Sequence, residues 1–248
     1  MSIFSNLTTE GMEKAEDVVG GGNFDPVPTG IHDAIVKLAY AITSAGGAKG
    51  VSLILDIGGK EVRETVYVTK KTGENFYIDK NDNKRRPMPG FTTIDELCLL
   101  TTETHLAEVE MENKMVKIYN KEAGGEVPTE VPVITPMLGQ SVKVAMFRKI
   151  ENKTEKNTNS GIYEPTNESR TINDIVKFMH PETSRTVNEY MQEIEEPVWA
   201  TEWSNRFGDK DLNKFKVIEG GGAGSSGTGT PGSAGTSGEA TPKKKLFG

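Results

Sequence analysis

Arginine and tyrosine stand four residues apart in the run Arg63-Glu-Thr-Val-Tyr67, and successive side chains of an extended strand alternate sides, so both project from one face. Directly after them come Lys70, Lys71, Phe76, Tyr77, Lys84, Arg85 and Arg86, and the later strand-like run 140–150 sets Phe147 and Lys149 on one face with Lys143 and Ala145. Rings interleaved with permanent cations suit a single-stranded nucleic acid. Cations track and neutralise the phosphates, while aromatic rings stack on unpaired bases for roughly 1–3 kcal/mol each. A plainer reading competes with this one. In it Tyr67 and Phe147 are ordinary sheet residues, Phe76 closes one end of a barrel, and the lysines and arginines only solvate loops.

Catalytic chemistry lacks its groups. The sequence holds no Gly-x-Ser-x-Gly elbow, no phosphate-cradling Gly-Lys-Ser/Thr and no His-x-x-x-His pair. Its three histidines, His32, His105 and His180, are too scattered for a sequence-local metal cluster. The single cysteine, Cys98, excludes a disulfide framework and a Cys-rich zinc site. Cys98 falls in an apolar run and is expected as a buried structural thiol. Glu193, Glu195 and Glu196 form a charge run beside a helix end, and Gly222-x-Gly224-x-x-Gly227 fits a dinucleotide fingerprint only formally, since it follows no strand and opens no helix. The expectation is a binding protein without catalytic activity, cofactor or metal.

Charge is segregated. The 248 residues carry 29 Lys+Arg against 36 Asp+Glu, a net −7, yet residues 60–86 hold eight basic groups against five acidic ones and residues 143–156 hold five against two. Acidic charge collects in residues 1–33, 87–113 and 182–202. If folding brings the two basic stretches onto one face, a positive groove results on a negative body, which suits a polyanion. No stretch approaches the roughly 18 apolar residues that span a bilayer, and Met1-Ser-Ile-Phe-Ser-Asn6 lacks the basic end and apolar run of a signal peptide. These features predict an unanchored cytoplasmic protein.

The elements that must position these residues are mostly strands. Residues 31–43 alternate, with Ala34, Val36, Leu38, Tyr40 and Ile42 on one face. Residues 51–57 read as a buried strand, Gly58-Gly59 as a hairpin turn, and residues 61–68 as its partner. A turn-rich basic stretch, 70–86, leads to a short helix over 92–100 capped by Thr92 or Thr93. Further strands are predicted over 109–119, 131–135 and 140–150, then a polar loop over 151–170 and helices over 171–178 and 186–195. Trp199, Trp203 and Phe207 are read as a segment docking back onto the barrel. This order predicts a mainly β fold with a few helices, an OB-fold-like Greek-key barrel whose exposed strands and loops form a binding groove. The barrel core is placed at about 24–150 within a single domain, 1–218, with helical and loop elaboration over 151–218.

Residues 219–242 are rich in Gly, Ser and Thr, a composition that cannot order itself, so a flexible disordered linker is predicted. It ends in a compact basic and aromatic tip, residues 243–248, in which Lys243, Lys244, Lys245, Leu246 and Phe247 read as a partner-binding motif held at a distance.

The opening Met1-Ser-Ile-Phe-Ser-Asn-Leu-Thr-Thr-Glu-Gly-Met12, the run Arg63-Glu-Thr-Val-Tyr-Val-Thr-Lys-Lys-Thr-Gly-Glu-Asn-Phe76, the segment Pro89-Gly-Phe-Thr-Thr-Ile-Asp-Glu-Leu-Cys98 and the end Lys243-Lys-Lys-Leu-Phe-Gly248 together resemble the single-stranded DNA-binding protein of the schitoviruses. These are lytic phages that carry a giant virion RNA polymerase. The resemblance implies an OB-fold protein of the infected cell's cytoplasm that coats single-stranded DNA in replication and recombination. It also implies activation of late transcription through contact of the C-terminal end with the host RNA polymerase. One departure is plain: many single-strand-binding proteins end in an acidic tail, and this tip is basic. A basic tip cannot imitate DNA phosphates in the groove, so an acidic patch on a partner is the expected target. The alternative is a protein adaptor that binds no nucleic acid.

Overall fold

The alternation read from the sequence becomes a three-strand meander, β1 (Gly30–Thr43), β2 (Lys49–Ile57) and β3 (Lys60–Tyr67), in the computed structural model, which describes residues 26–120, 123–158 and 161–218. Gly58 and Gly59 join β2 to β3 with φ of 60° and 83°. That pair of positive angles makes the two-residue turn whose twist matches the strands, and glycine adopts it without a Cβ penalty. Val51, Leu53, Leu55, Ile57 and Val62 are buried on the inner face. In β1 the register slips between Val36 and Leu38. The bulge reverses the alternation, so Ala39 is buried beyond Val36, whereas Leu38 is only partly covered. The single face expected for Ala34 to Ile42 is therefore split in two, because one extra residue flips every later side chain.

The stretch after β3 holds a small finger, β4 (Phe76–Ile78) paired antiparallel with β5 (Arg85–Pro87). Helix α1 (Pro89–Thr102) follows and buries Ile94, Glu96, Leu97 and Cys98. It starts earlier than predicted because Pro89 suits the first helical position, where no N–H is needed. Thr92 and Thr93 do not cap it; their hydroxyls donate back to the carbonyls of Met88 and Pro89. At Gly90 a Cβ would stand 2.2 Å from the Tyr67 carbonyl oxygen, so only glycine lets the helix approach the end of β3 this closely.

Strands β6 (Glu112–Asn120) and β7 (Gly125–Val133) form a projecting hairpin that joins the sheet where Val133 faces Tyr40. A 3₁₀ turn, Thr135–Met137, leads into β8 (Ser141–Lys156), which pairs with β1 on one side and with β9 (Tyr163–Met179) on the other. The loop predicted over 151–170 and the helix predicted over 171–178 are both replaced by this long hairpin. A bulge in β9, where Ala145 faces Lys177 and Met146 faces Ile175, explains the mistaken helix. Ile175 and Phe178 pack on the main core, Val176 and Met179 on a second cluster. Both pairs are thereby spaced by three, as on a helix.

The barrel order is β3-β2-β1-β8-β9, with α1 inserted between its third and fourth strands. This is the OB-like Greek-key path, left open between β3 and β9, between which no ladder forms among the described residues. Its fifth strand lies beyond residue 150, so the barrel reaches into the region expected as elaboration.

The remaining elements brace β8 and β9. Helix α2 (Val187–Met191) is shorter than the predicted 186–195 and opens on a capping box between Thr186 and Glu189. Buried Glu189 also accepts from the Trp199 N–H at 2.7 Å, which ties α2 to α3 (Val198–Phe207). Trp199, Trp203 and Phe207 on α3 pack with Phe147, Ala145 and Met179, the docking expected of them. Strand β10 (Leu212–Asn213) runs parallel to β8 at Lys149 and Ile150. Among the described residues no helix is long and apolar enough to cross a membrane.

Candidate nucleic-acid interface

Arg63, Thr65 and Tyr67 face away from the core on β3, opposite Ile54, Ser52 and Gly50 of β2. Gly50 makes room for the tyrosine. A Cβ there would stand 3.1 Å from the Tyr67 ring and 2.8 Å from the Val66 carbonyl oxygen. Tyr67 stays 44% exposed. The Arg63 guanidinium lies 3.2 Å from Glu61 and 3.9 Å from Glu126 of β7, so it already has two carboxylates.

The finger presents the rest of the predicted set. The Phe76 ring has Lys70 Nζ 5.7 Å and the Arg85 guanidinium 4.7 Å from its centroid, a cation–π arrangement that fixes both cations on the finger's surface. Phe76 therefore orders the finger and does not plug the barrel; that work falls to α1. Tyr77, 42% exposed, lies opposite Arg86, which is held by Asp82 at 2.8 Å and Asp79 at 3.6 Å. The Lys71 stem lies against the β1–β2 turn, where a Cβ on Gly46 would meet its Cε at 3.1 Å. This contact gathers the finger, the β1–β2 turn and the Tyr67 end of the meander at one place. Among the described residues Lys70, Lys71, Lys80, Lys84 and Arg85 make no ion pair. Lys80 and exposed Ile78 belong to the same finger and were missed as site residues; Lys80's place in the basic run was the available signal.

Phe147 and Lys149 do not join them. Phe147 lies 5.3 Å, centroid to centroid, from both Trp203 and Phe207 and is committed to the second hydrophobic cluster. Lys149 is held by Glu151 at 3.2 Å and Asp174 at 3.3 Å. Apart from Lys156, the second basic stretch is spent the same way, with Lys143 on Asp33 and Lys153 on Glu168, while Arg148 forks onto Asp211. The two basic stretches therefore do not merge into one free groove. Strand alternation fixes which side chains share a face, but α3 arrives from far along the sequence to cover this one.

Inside the barrel Glu64 borders the open seam. Burial pushes its carboxyl up to about 7, helped by Asp174 and Glu151 and opposed by Lys149. The Cys98 thiol is likewise pushed up to about 12 by burial, which suits an inert core residue. Among the described residues no three His, Cys, Asp or Glu side chains cluster as a metal site. The predicted linker 219–242 and the tip from Lys243 to Phe247 lie outside the described residues.

Compared with known proteins, the sequence matches no family model and no curated protein.

Proposed function

We propose that the protein binds and coats single-stranded DNA without strong sequence preference, through the finger and the Tyr67 end of the β2–β3 hairpin. The observation that carries this is the group of unpaired cations, Lys70, Lys71, Lys84 and Arg85, set around Tyr67, Phe76 and Tyr77 beside the first turn of an OB-like meander. Exposed rings offer every base a stacking face, and the cations offer its phosphates a partner. The resemblance extends the proposal to phage replication and recombination, and to recruitment of host RNA polymerase by the tip Lys243 to Phe247.

The test is a fluorescence titration with poly-dT across a range of salt concentrations. Affinity should fall with a log–log slope of about −0.7 per phosphate contacted. Replacing Lys70, Lys71, Lys84 and Arg85 together by Ala should weaken binding and flatten that slope by up to about 2.8, four contacts' worth. Thermal stability should hardly move, since exposed charges contribute little to folding. Unchanged affinity in the variant, or duplex bound as well as poly-dT, would overturn the proposal in favour of a protein adaptor.

A further inference from the structure

Strand β3 ends the path β3-β2-β1-β8-β9, and its free edge faces a cavity of about 700 Å³ that separates it from β9. The two-residue turn fixes which backbone groups of β3 are already used. Lys60 pairs with Ile57 across it, so Lys60, Val62 and Glu64 bond to β2, and the N–H and C=O groups of Glu61, Arg63 and Thr65 point to the open side. Helix α1 covers the far end of this edge, where Gly90 sits against the Tyr67 carbonyl. A short window, from Lys60 to Thr65, is left without a neighbouring strand among the described residues.

The charges at this window are Lys60, Glu61, Arg63 and Glu64, with Arg170 of β9 across the cavity. Most of them are already engaged. Glu61 holds Lys37 at 3.0 Å and Arg63 at 3.2 Å, Arg63 also reaches Glu126 at 3.9 Å, and Arg170 is held by Glu151 at 2.6 Å. Lys60 and half-buried Glu64 make no ion pair among the described residues, and Lys149 acts on Glu64 only from a distance. The edge thus carries an unanswered cation and an unanswered carboxylate.

Charged edges ordinarily turn other strands away. The order Lys60-Glu-Val-Arg-Glu64 admits one partner, because reversing it inverts every charge about Val62. A second copy laid antiparallel about a two-fold axis at Val62 sets Lys60 opposite Glu64, Glu61 opposite Arg63 and valine opposite valine. In that register Glu61 and Arg63, whose backbone groups point outward, exchange N–H to C=O bonds across the axis. Lys60 and Glu64 then fall at the positions between those bonds, where facing side chains come closest. Centring the axis on Glu61, Arg63 or Glu64 instead sets like charges on each other. Burial lifts the Glu64 carboxyl to about 7 in the single chain, a cost that a facing ammonium offsets.

We propose that β3 pairs edge to edge with β3 of a second copy of this chain, about a two-fold axis through Val62, and so joins the two sheets. The proposal stands apart from the DNA reading. A window this short buries less than the about 800 Å² per partner of a stable interface, so the dimer forms at high protein concentration and dissociates on dilution.

Sedimentation of the full-length protein without DNA tests it, over a dilution series reaching the high-micromolar range and at about pH 8, where Glu64 is ionised. The sedimentation coefficient should rise from that of a monomer toward that of a dimer. Lys60→Glu alone and Glu64→Lys alone should each weaken the dimer at least about tenfold, because both facing pairs turn from opposite to like charge. Mixed together, the two variants should associate about as tightly as the parent, since each charge then meets its opposite. Because Glu64→Lys alters a half-buried site, hydrogen exchange on the parent protein supplies a second measurement that needs no variant. The amides of Glu61 and Arg63 should slow in proportion to the dimer formed, with those of Leu53 and Leu55 as core controls. A monomer throughout the series, a dimer that both variants leave intact, or a mixture of folded variants no tighter than either alone would overturn the proposal. So would protection of Glu61 and Arg63 that ignores concentration, because the chain would then be covering its own edge.

Discussion

Replacing Glu64 by Gln should stabilise the protein at about pH 8 and leave it nearly unchanged at about pH 4. The carboxyl rises from 4.5 to about 7 because burial at the seam strips it of water while Asp174 and Glu151 oppose its charge, with Lys149 the one group pulling the other way. At about 1.36 kcal/mol per pH unit, that rise corresponds to about 3 kcal/mol. The direction follows from which state holds the proton. Below the unfolded value both states are protonated and the site costs nothing. Between 4.5 and about 7 only the unfolded chain releases its proton, so stability falls as pH rises, and above about 7 the folded protein carries the full cost. Glutamine keeps the shape and has no charge to bury. Urea unfolding followed by Trp199 and Trp203 fluorescence, with parent and Glu64→Gln compared across pH, isolates this site because titrations not coupled to Glu64 cancel in the difference. The gap should open between about pH 5 and 7 and level off near 3 kcal/mol, or about 6–12 °C in Tm for a chain of this size. Two stability curves that stay parallel across the whole range would refute the burial argument.

Phe147→Ala should cost about 2–3 kcal/mol of stability, at the low end for a phenylalanine because the ring is only partly buried, and should leave poly-dT affinity of the folded protein within about twofold. Loss of DNA binding with unchanged stability would return Phe147 to the interface. Deleting residues 243–248 should leave single-stranded DNA affinity within about threefold and abolish capture of RNA polymerase from host extract, since a Gly-rich linker transmits little between its two ends. A truncated protein that lost DNA binding but still captured the polymerase would show that domain and tip do not act separately.

By itself the sequence determined what depends on neighbours along the chain. Alternation and the Gly58-Gly59 turn gave β2 and β3, and the finger's rings and cations were legible as a set because they are close in sequence and the finger is a local hairpin. Cys98 was correctly read as core from its apolar surroundings, and the aromatic spacing of Trp199, Trp203 and Phe207 announced a docking helix face. Tertiary structure decided what covers each face. Phe147 and Lys149 show the same alternation as Arg63 and Tyr67, yet α3 packs over the first and Asp174 with Glu151 pairs the second. The helix predicted over 171–178 became strand because β8 offered a continuous ladder, and the β9 bulge gave its apolar residues a spacing of three that imitates a helical turn. The open seam was equally invisible, for closing or leaving a barrel depends on where strands far apart in sequence come to rest. Periodicity records which way a side chain points relative to its neighbours; what it meets there is fixed only when distant segments compete for the same surface.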